Sequence, residues 1–363
     1  MVRHVAVPPS SAAPEAPAHL RRLTTLRAFA ALLVFGNHLD LRGGEVGVAR
    51  YVFAYGYTGV GFFFLLSGFV LAWSTAAGSS TAAFYVRRFA RVYPSHAVML
   101  VVAALVPVTV VEQWSGRDLV VNALLLQGWL PWRISPYTLN GVSWSLSCEV
   151  AFYLVLPLLL PWARRQRPRT LWLAALLCWG LGNSVTLYAA LAQRYVDAVY
   201  VFPPLRLGEF LLGVVLAVQM RRGWRLPTPI AIALSVVGMG CMAATWDRFP
   251  AADIGAALLF TAVVAQAAQR DLERPDGLLA HRWLVYAGQV SFAFYLVHEL
   301  VILNVADLTG LRGWVLNPWA FAVSCLAAVA LHHLVERPCE RRIRRLRLPT
   351  SEPVAERPVP FSG

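Results

Sequence analysis

The sequence contains no lysine, so all 32 of its basic residues are arginine. Acidic residues are scarce as well, 19 in a chain of 363. Charged residues make up 14% of the chain, where an ordinary soluble domain carries about 25%. Cysteine is sparse: Cys148, Cys178, Cys241, Cys325 and Cys339 are scattered, with no CxxC pair and no Cys/His ligand spacing. An odd, scattered set excludes a complete disulfide framework and offers no metal site. Four of the five lie in apolar runs, where a free thiol packs as a small hydrophobe. What the chain has instead is apolar surface, with 58% hydrophobic residues and a mean hydropathy of +0.57. That balance predicts an all-α, polytopic membrane helical bundle.

The formal net charge of +13 invites a nucleic-acid reading. The distribution of arginine argues against it. The residues fall in short blocks between apolar runs: Arg87, Arg88 and Arg91, then 164–169, 221–225 and 337–347. Basic blocks between membrane spans are topology signals, whereas nucleic-acid binders gather theirs on one folded surface. About ten spans are predicted, at 24–42, 57–76, 94–112, 142–162, 170–191, 199–220, 228–246, 252–269, 283–305 and 315–335, each near the ~20 residues a bilayer needs. A shorter apolar run at 119–130, interrupted by Asn122 and Gln127, reads as interfacial or re-entrant. With that run not crossing, and both termini cytoplasmic, 23 arginines fall inside, seven outside and two within spans. A crossing at 119–130 would move the block at 164–169 outside and invert every later block. The expected location is therefore the inner or plasma membrane, multi-pass, with lipid as surroundings. The expected organisation is a disordered tail at 1–20, a membrane domain at 21–342 and a second disordered tail at 343–363.

Ionisable residues inside spans cost ~2.5–3.5 kcal/mol each at the bilayer centre and so call for a reason. Here they are Arg27, His38, Glu149, Arg206, Glu209 and His298. Eleven helical steps separate Arg27 from His38, which leaves them about 20° apart on one face and about 16 Å apart along the axis. Glu149 lies about 10 Å into its span, at a depth compatible with His38. A carboxylate beside an imidazole would orient it and raise its basicity. Trp144 and Ser145 precede Glu149 on the same predicted helix. Arg206 and Glu209, at i and i+3, can pair, and a structural ion pair between spans is the plainer account of them. His298 is either a second site histidine or a packing residue. In FYVRRFARVYP, 84–94, Arg88 and Arg91 share a face and Pro94 is placed to open the following helix. A guanidinium fork engages phosphate oxygens well, but from charge alone a positive-inside anchor is the better account of the block.

Taken in order, several stretches resemble the acyltransferase-3 family of integral-membrane acyltransferases. They are Arg27 and His38 separated by ten residues, GVGFFFLLSGF at 59–69, FYVRRFARVYP at 84–94, SWSLSCEVAFYLVLP at 143–157, RLGEFLLGVVLA at 206–217, SFAFYLVH at 291–298 and VERP at 335–338. The resemblance covers about Leu23 to Arg342. It implies transfer of an acyl group, by default acetyl, from acyl-CoA as co-substrate to a hydroxyl of a carbohydrate or of a glycosylated, macrolide-type natural product. It makes His38 the catalytic histidine with Glu149 in support, and Arg27, Arg88 and Arg91 the holders of the donor's phosphates. Trp144, Ser145, Arg206, Glu209, Tyr295 and His298 then serve substrate binding or structure. Three positions depart from the family pattern: Gly61 where many members have Asp, His96 where an aromatic is usual, and Glu299 where Trp is common. The competing class is a transporter using His38, Glu149, Arg206 and Glu209 as a proton or substrate pathway. Inverted repeats, common in such folds, are not visible in the sequence.

Overall fold

The computed structural model describes residues 20–76, 79–106, 114–246 and 248–345. Among the described residues ten helices have 16 residues or more, and each overlaps one of the ten apolar segments. In chain order they are α1 (Arg21–Leu41), α2 (Gly59–Ser74), α3 (Thr81–Leu105), α4 (Trp144–Arg165), α5 (Pro168–Ala192), α6 (Pro203–Arg221), α7 (Thr228–Ala244), α8 (Asp253–Glu273), α9 (Arg282–Thr309) and α10 (Gly313–Leu331). No β-strand occurs among the described residues. Among the described residues six of the long helical segments, those containing α2, α4, α5, α6, α9 and α10, are long and apolar enough to cross a membrane. The run at 119–130 yields a helix of only eight residues, Gly116–Ala123, begun by a reciprocal Ser115–Asp118 cap and followed by turns. At 1.5 Å per residue that is about 12 Å, too short to cross a bilayer.

Two expectations need correction. Pro94 does not open a helix: α3 starts at Thr81, capped by the Ser80 hydroxyl accepting from the Ala83 N–H, and runs through Pro94 to Leu105. Proline removes one backbone hydrogen bond, and a helix packed against neighbours tolerates that loss. Arg88 and Arg91 therefore sit on the same continuous helix as the apolar segment beyond Pro94, not on a separate loop. The second correction is at the C-terminal end. After α10 the chain makes a π turn at His332–Glu336 and continues as a helix over Arg337–Arg345, three residues into the expected tail. Residues 107–112 of the third predicted span, residues 1–19, and residues 346–363 lie outside the described residues.

Burial separates inner from outer helices. The apolar windows of the segments containing α2, α6 and α9 are 78%, 78% and 72% buried, against 33% for that of α5 and 28% for that of α10. The most extensive packing is α2 on α6, α1 on α9, α7 on α8 and α5 on α6. Between α2 and α6 the backbones themselves meet. A Cβ at Gly68 would overlap the Phe210 carbonyl, and one at Gly213 would overlap the Leu65 carbonyl. Small residues allow such approach, and van der Waals contact then holds helices that lipid does not drive together.

Gly213→Leu should force α2 and α6 apart and lower the unfolding temperature in detergent, at a cost of at least the 1–3 kcal/mol typical of overpacking. Gly180→Ala, where an added Cβ meets nothing within 4 Å, should leave the melting curve in place. Equal melting of the two variants would refute the close-packing account.

Candidate active site

Two connected cavities enter the bundle. The wider, of about 510 Å³, is lined by Arg27, Arg88, Arg91, Arg337, Glu340 and Arg341 among others. The narrower, of about 120 Å³, is lined by Arg27, Arg88, Arg91, Glu149, Tyr153 and Tyr295 among others. The three arginines line both cavities and so mark the place where they meet. Arg27 comes from α1, and Arg88 and Arg91 come from α3.

The arginines differ in how they are neutralised. Arg91 is ion-paired to Glu336, on the π turn, and at 2.6 Å to Glu340, on the helix that follows. Glu336 is fully buried and also accepts from His332 Nδ1 at 3.0 Å. Among the described residues, Arg27 and Arg88 have no ion pair within contact distance. Arg88 rests against the Phe84 ring at 6.0 Å, and its Nε is buried without a hydrogen-bond partner. A buried guanidinium N–H without a partner is costly unless something else occupies it.

Glu149, from α4, faces this arginine layer. Its Oε1 lies 3.5 Å from the Ser67 hydroxyl, it lines the inner cavity beside Tyr153, and its charge bears on Arg27. The structure does not bring Glu149 to His38. The partner at His38 is His298: His38 Nδ1 and His298 Nε2 are 2.9 Å apart, and His298 Nδ1 is 2.8 Å from the Tyr295 carbonyl oxygen. Tyr295 Oη lies 3.0 Å from the Val142 carbonyl oxygen and 2.9 Å from Ser145 Oγ. Thus α9 presents Tyr295 to the inner cavity and, one turn on, His298 to His38. The next residue, Glu299, is held by Arg42 at 2.7 Å and is a carboxylate whose charge bears on His38.

Trp144, Arg206 and Glu209 form a separate cluster. Arg206 is 2% exposed, 3.3 Å from Glu209 and 2.7 Å from Asp253 on α8. Its guanidinium also covers the Tyr200 ring at 4.9 Å, and Trp144 packs on the same ring at 4.9 Å. Sequence reasoning missed Asp253, because an acid at the head of an apolar run reads as a span boundary. The same reasoning missed Glu336 and Glu340. The VERP stretch pointed to that region, but nothing in it names Arg91 as the partner.

The family model for the acyltransferase domain of acyltransferase-3 proteins matches residues 20–334. The chain belongs to the acyltransferase-3 family. Across 94% of its length it is 35% identical to acyltransferase MdmB of Streptomyces mycarofaciens, covering 95% of that protein. Across 91% it is 27% identical to nodulation protein 10 of Rhizobium leguminosarum bv. viciae, covering 94%. No solved structure matches it. An acyltransferase-3 protein with six helices apolar enough to cross a membrane is a multi-pass membrane acyltransferase. Membership of an acyltransferase family answers the transporter reading.

Glu336→Ala should destabilise the protein by about 3–5 kcal/mol, the usual cost of removing one partner of a buried pair. Glu340→Ala, which removes a carboxylate that is 22% exposed, should cost no more than about 1 kcal/mol. Thermal unfolding of the two purified variants checks the order, and the reverse order would refute the assignment of Glu336 as the main anchor of Arg91.

Proposed function

We propose that this acyltransferase moves an acyl group, acetyl by default, from acyl-CoA to a hydroxyl of a carbohydrate or glycosylated natural product, with His38 as general base. The observation that carries the reading is the pair Arg27 and Arg88. Both line the junction of the two cavities, and neither has an ion pair among the described residues. Unneutralised guanidinium groups in a cavity suit an anionic ligand with several oxygens, as a CoA diphosphate has. Arg91, already bound to Glu336 and Glu340, contributes its remaining donors and the position of α3.

On this reading the diphosphate lies at the arginine layer and the pantetheine arm runs through the inner cavity towards Tyr295. His38 stands about 16 Å along α1 from Arg27, eleven helical residues away, a distance an extended arm bridges. The acceptor hydroxyl gives its proton to His38 as its oxygen attacks the thioester carbonyl. The C–S bond then breaks and CoA leaves as thiolate. Holding thioester and hydroxyl together supplies the proximity term. Glu149 serves the arginine layer through Arg27 rather than the imidazole. The ten-span arrangement with both termini cytoplasmic belongs to the same proposal. It puts the mouth of the wider cavity, with Arg337 and Arg341, on the side where acyl-CoA is made.

His38→Ala should abolish thiol release from acetyl-CoA by the purified protein, and normal turnover in that variant would end the assignment of the base. Arg27→Gln and Arg88→Gln should each weaken CoA binding by about 1.5–3 kcal/mol, the size of a charged hydrogen bond, that is by tenfold or more in a titration. Unchanged affinity in both would remove CoA from this cavity. A reporter fused after Arg167 should read as cytoplasmic, and a reading on the far side of the membrane would overturn the ten-span topology.

A further inference from the structure

His298 is fully buried and both of its ring nitrogens are engaged. Its Nδ1 lies 2.8 Å from the Tyr295 carbonyl oxygen. A carbonyl can only accept, so Nδ1 of His298 carries a proton. No carboxylate is hydrogen-bonded to this ring among the described residues, and an interior charge without such a partner is costly. His298 is therefore the neutral imidazole, which has a single N–H, and its Nε2 is a lone pair. That lone pair lies 2.9 Å from His38 Nδ1. The bond between the rings runs from His38 Nδ1–H to His298 Nε2. A neutral His38 then has its own lone pair at Nε2, and no side chain among the described residues is hydrogen-bonded to that nitrogen.

We propose that His298 is a positioning residue that fixes the tautomer and ring orientation of His38, leaving His38 Nε2 as the basic nitrogen. The inference rests on the reading of His38 as base and adds which of its nitrogens acts and what makes it so. The anchor of the arrangement is a helix carbonyl, Tyr295 C=O, which cannot exchange donor for acceptor as a side chain can. Packing fixes the plane of the second ring: Phe294 stacks on His298 at 6.0 Å with ring planes 8° apart, and Phe35 meets its edge at 6.1 Å. His298 thus does for His38 what a carboxylate does in a Ser-His-Asp triad, holding tautomer and orientation, without placing a charge at that point. The charge that faces a protonated His38 comes from the neighbouring Glu299, fixed by Arg42. During transfer His38 Nε2 takes the acceptor's proton and the Nδ1–H bond to His298 stays in place.

The test uses full-length protein labelled with 15N-histidine in nanodiscs. The His38 ring signals are assigned by their loss in His38→Ala. The wild type and His298→Gln, whose side-chain oxygen can still accept, should show His38 with its proton on Nδ1. His298→Phe keeps a ring in the packing but offers no acceptor, and should show mixed tautomers. With acetyl-CoA as donor and water as surrogate acceptor, His298→Phe should lower kcat about 10²-fold, the scale of a misplaced catalytic group, and leave KM for acetyl-CoA unchanged. His298→Gln should recover kcat to within about tenfold of wild type. A wild-type His38 protonated on Nε2, or a His298→Phe protein with unaltered tautomer and kcat, overturns the proposal. Turnover surviving in His38→Ala instead overturns the base assignment beneath it. An inactive His38→Ala beside a fully active His298→Phe overturns this proposal alone.

Discussion

A charge inside an apolar bundle must be paired, hydrated or bound to something, and the arginines of this chain divide by which of these they meet. Arg206 is paired twice, to Glu209 and Asp253, and lies under aromatic rings. Its cluster ties α6 to α8. Arg91 is likewise paired twice, but its carboxylates come from the π turn and the helix after it. That ion pair pulls the C-terminal end of the bundle onto α3 and closes one wall of the wide cavity. Arg27 and Arg88 remain at the same level without a carboxylate in contact. The bundle has spent insertion energy on two cations that nothing in the described protein neutralises directly, and they face open volume. A ligand site follows from that residue of unbalanced charge more directly than from the shape of the cavity.

Packing converts this charge layer into a site with depth. Close approach of α2 and α6 through Gly68 and Gly213 makes a rigid inner pair. The other inner pair is α1 and α9, and it supplies both ends of the candidate site. Along α1 run Arg27 at the charge layer and His38 beyond it. Along α9 run Phe292 and Tyr295 on the inner cavity, then His298 and Glu299. Because the two helices are packed along their length, the distance between anion-holding and proton-accepting ends is set by helix geometry and not by loops. A site built this way loses little entropy when the ligand arrives.

How much of this could be read in the sequence depends on whether the signal lay within one helix or between two. Within a helix it was legible. Each apolar segment overlaps a helix among the described residues, six of them long and apolar enough to cross a membrane, the phase of Arg27 and His38 follows from 3.6 residues per turn, and the Arg206–Glu209 pair follows from i, i+3 spacing. Between helices, periodicity is silent. Glu149 shares a depth with His38, yet depth fixes one coordinate out of three, and the neighbour of α1 turns out to be α9. The His38–His298 contact joins residues 260 apart in the chain, and the remaining histidines and carboxylates offered no reason to choose it. Asp253 was hidden by looking like a boundary, and Pro94 misled because proline at a first helical turn is so common. The family resemblance pointed to acyl transfer, which family membership bears out, and did not name His298 as the neighbour of His38.

The choice of a neutral partner for His38 follows from the same economy of charge. A carboxylate hydrogen-bonded directly to Nδ1 would raise the basicity of the ring, but it would also set a fully buried anion between α1 and α9. Such an anion requires a cation in contact, and a residue with a buried unpaired charge opposes folding by several kcal/mol. His298 has no charge to neutralise, and its one proton is already committed to a backbone carbonyl. The negative charge is moved one residue along, to Glu299, where Arg42 reaches it from the end of α1 with a side chain that is 38% exposed. Orientation and charge compensation are thereby assigned to two different residues: His298 orients, and Glu299, itself buried, bears the charge and is neutralised by the half-exposed Arg42. Such a division keeps the ion pair off the nitrogen that orients His38 and places it on the next residue of the same helix.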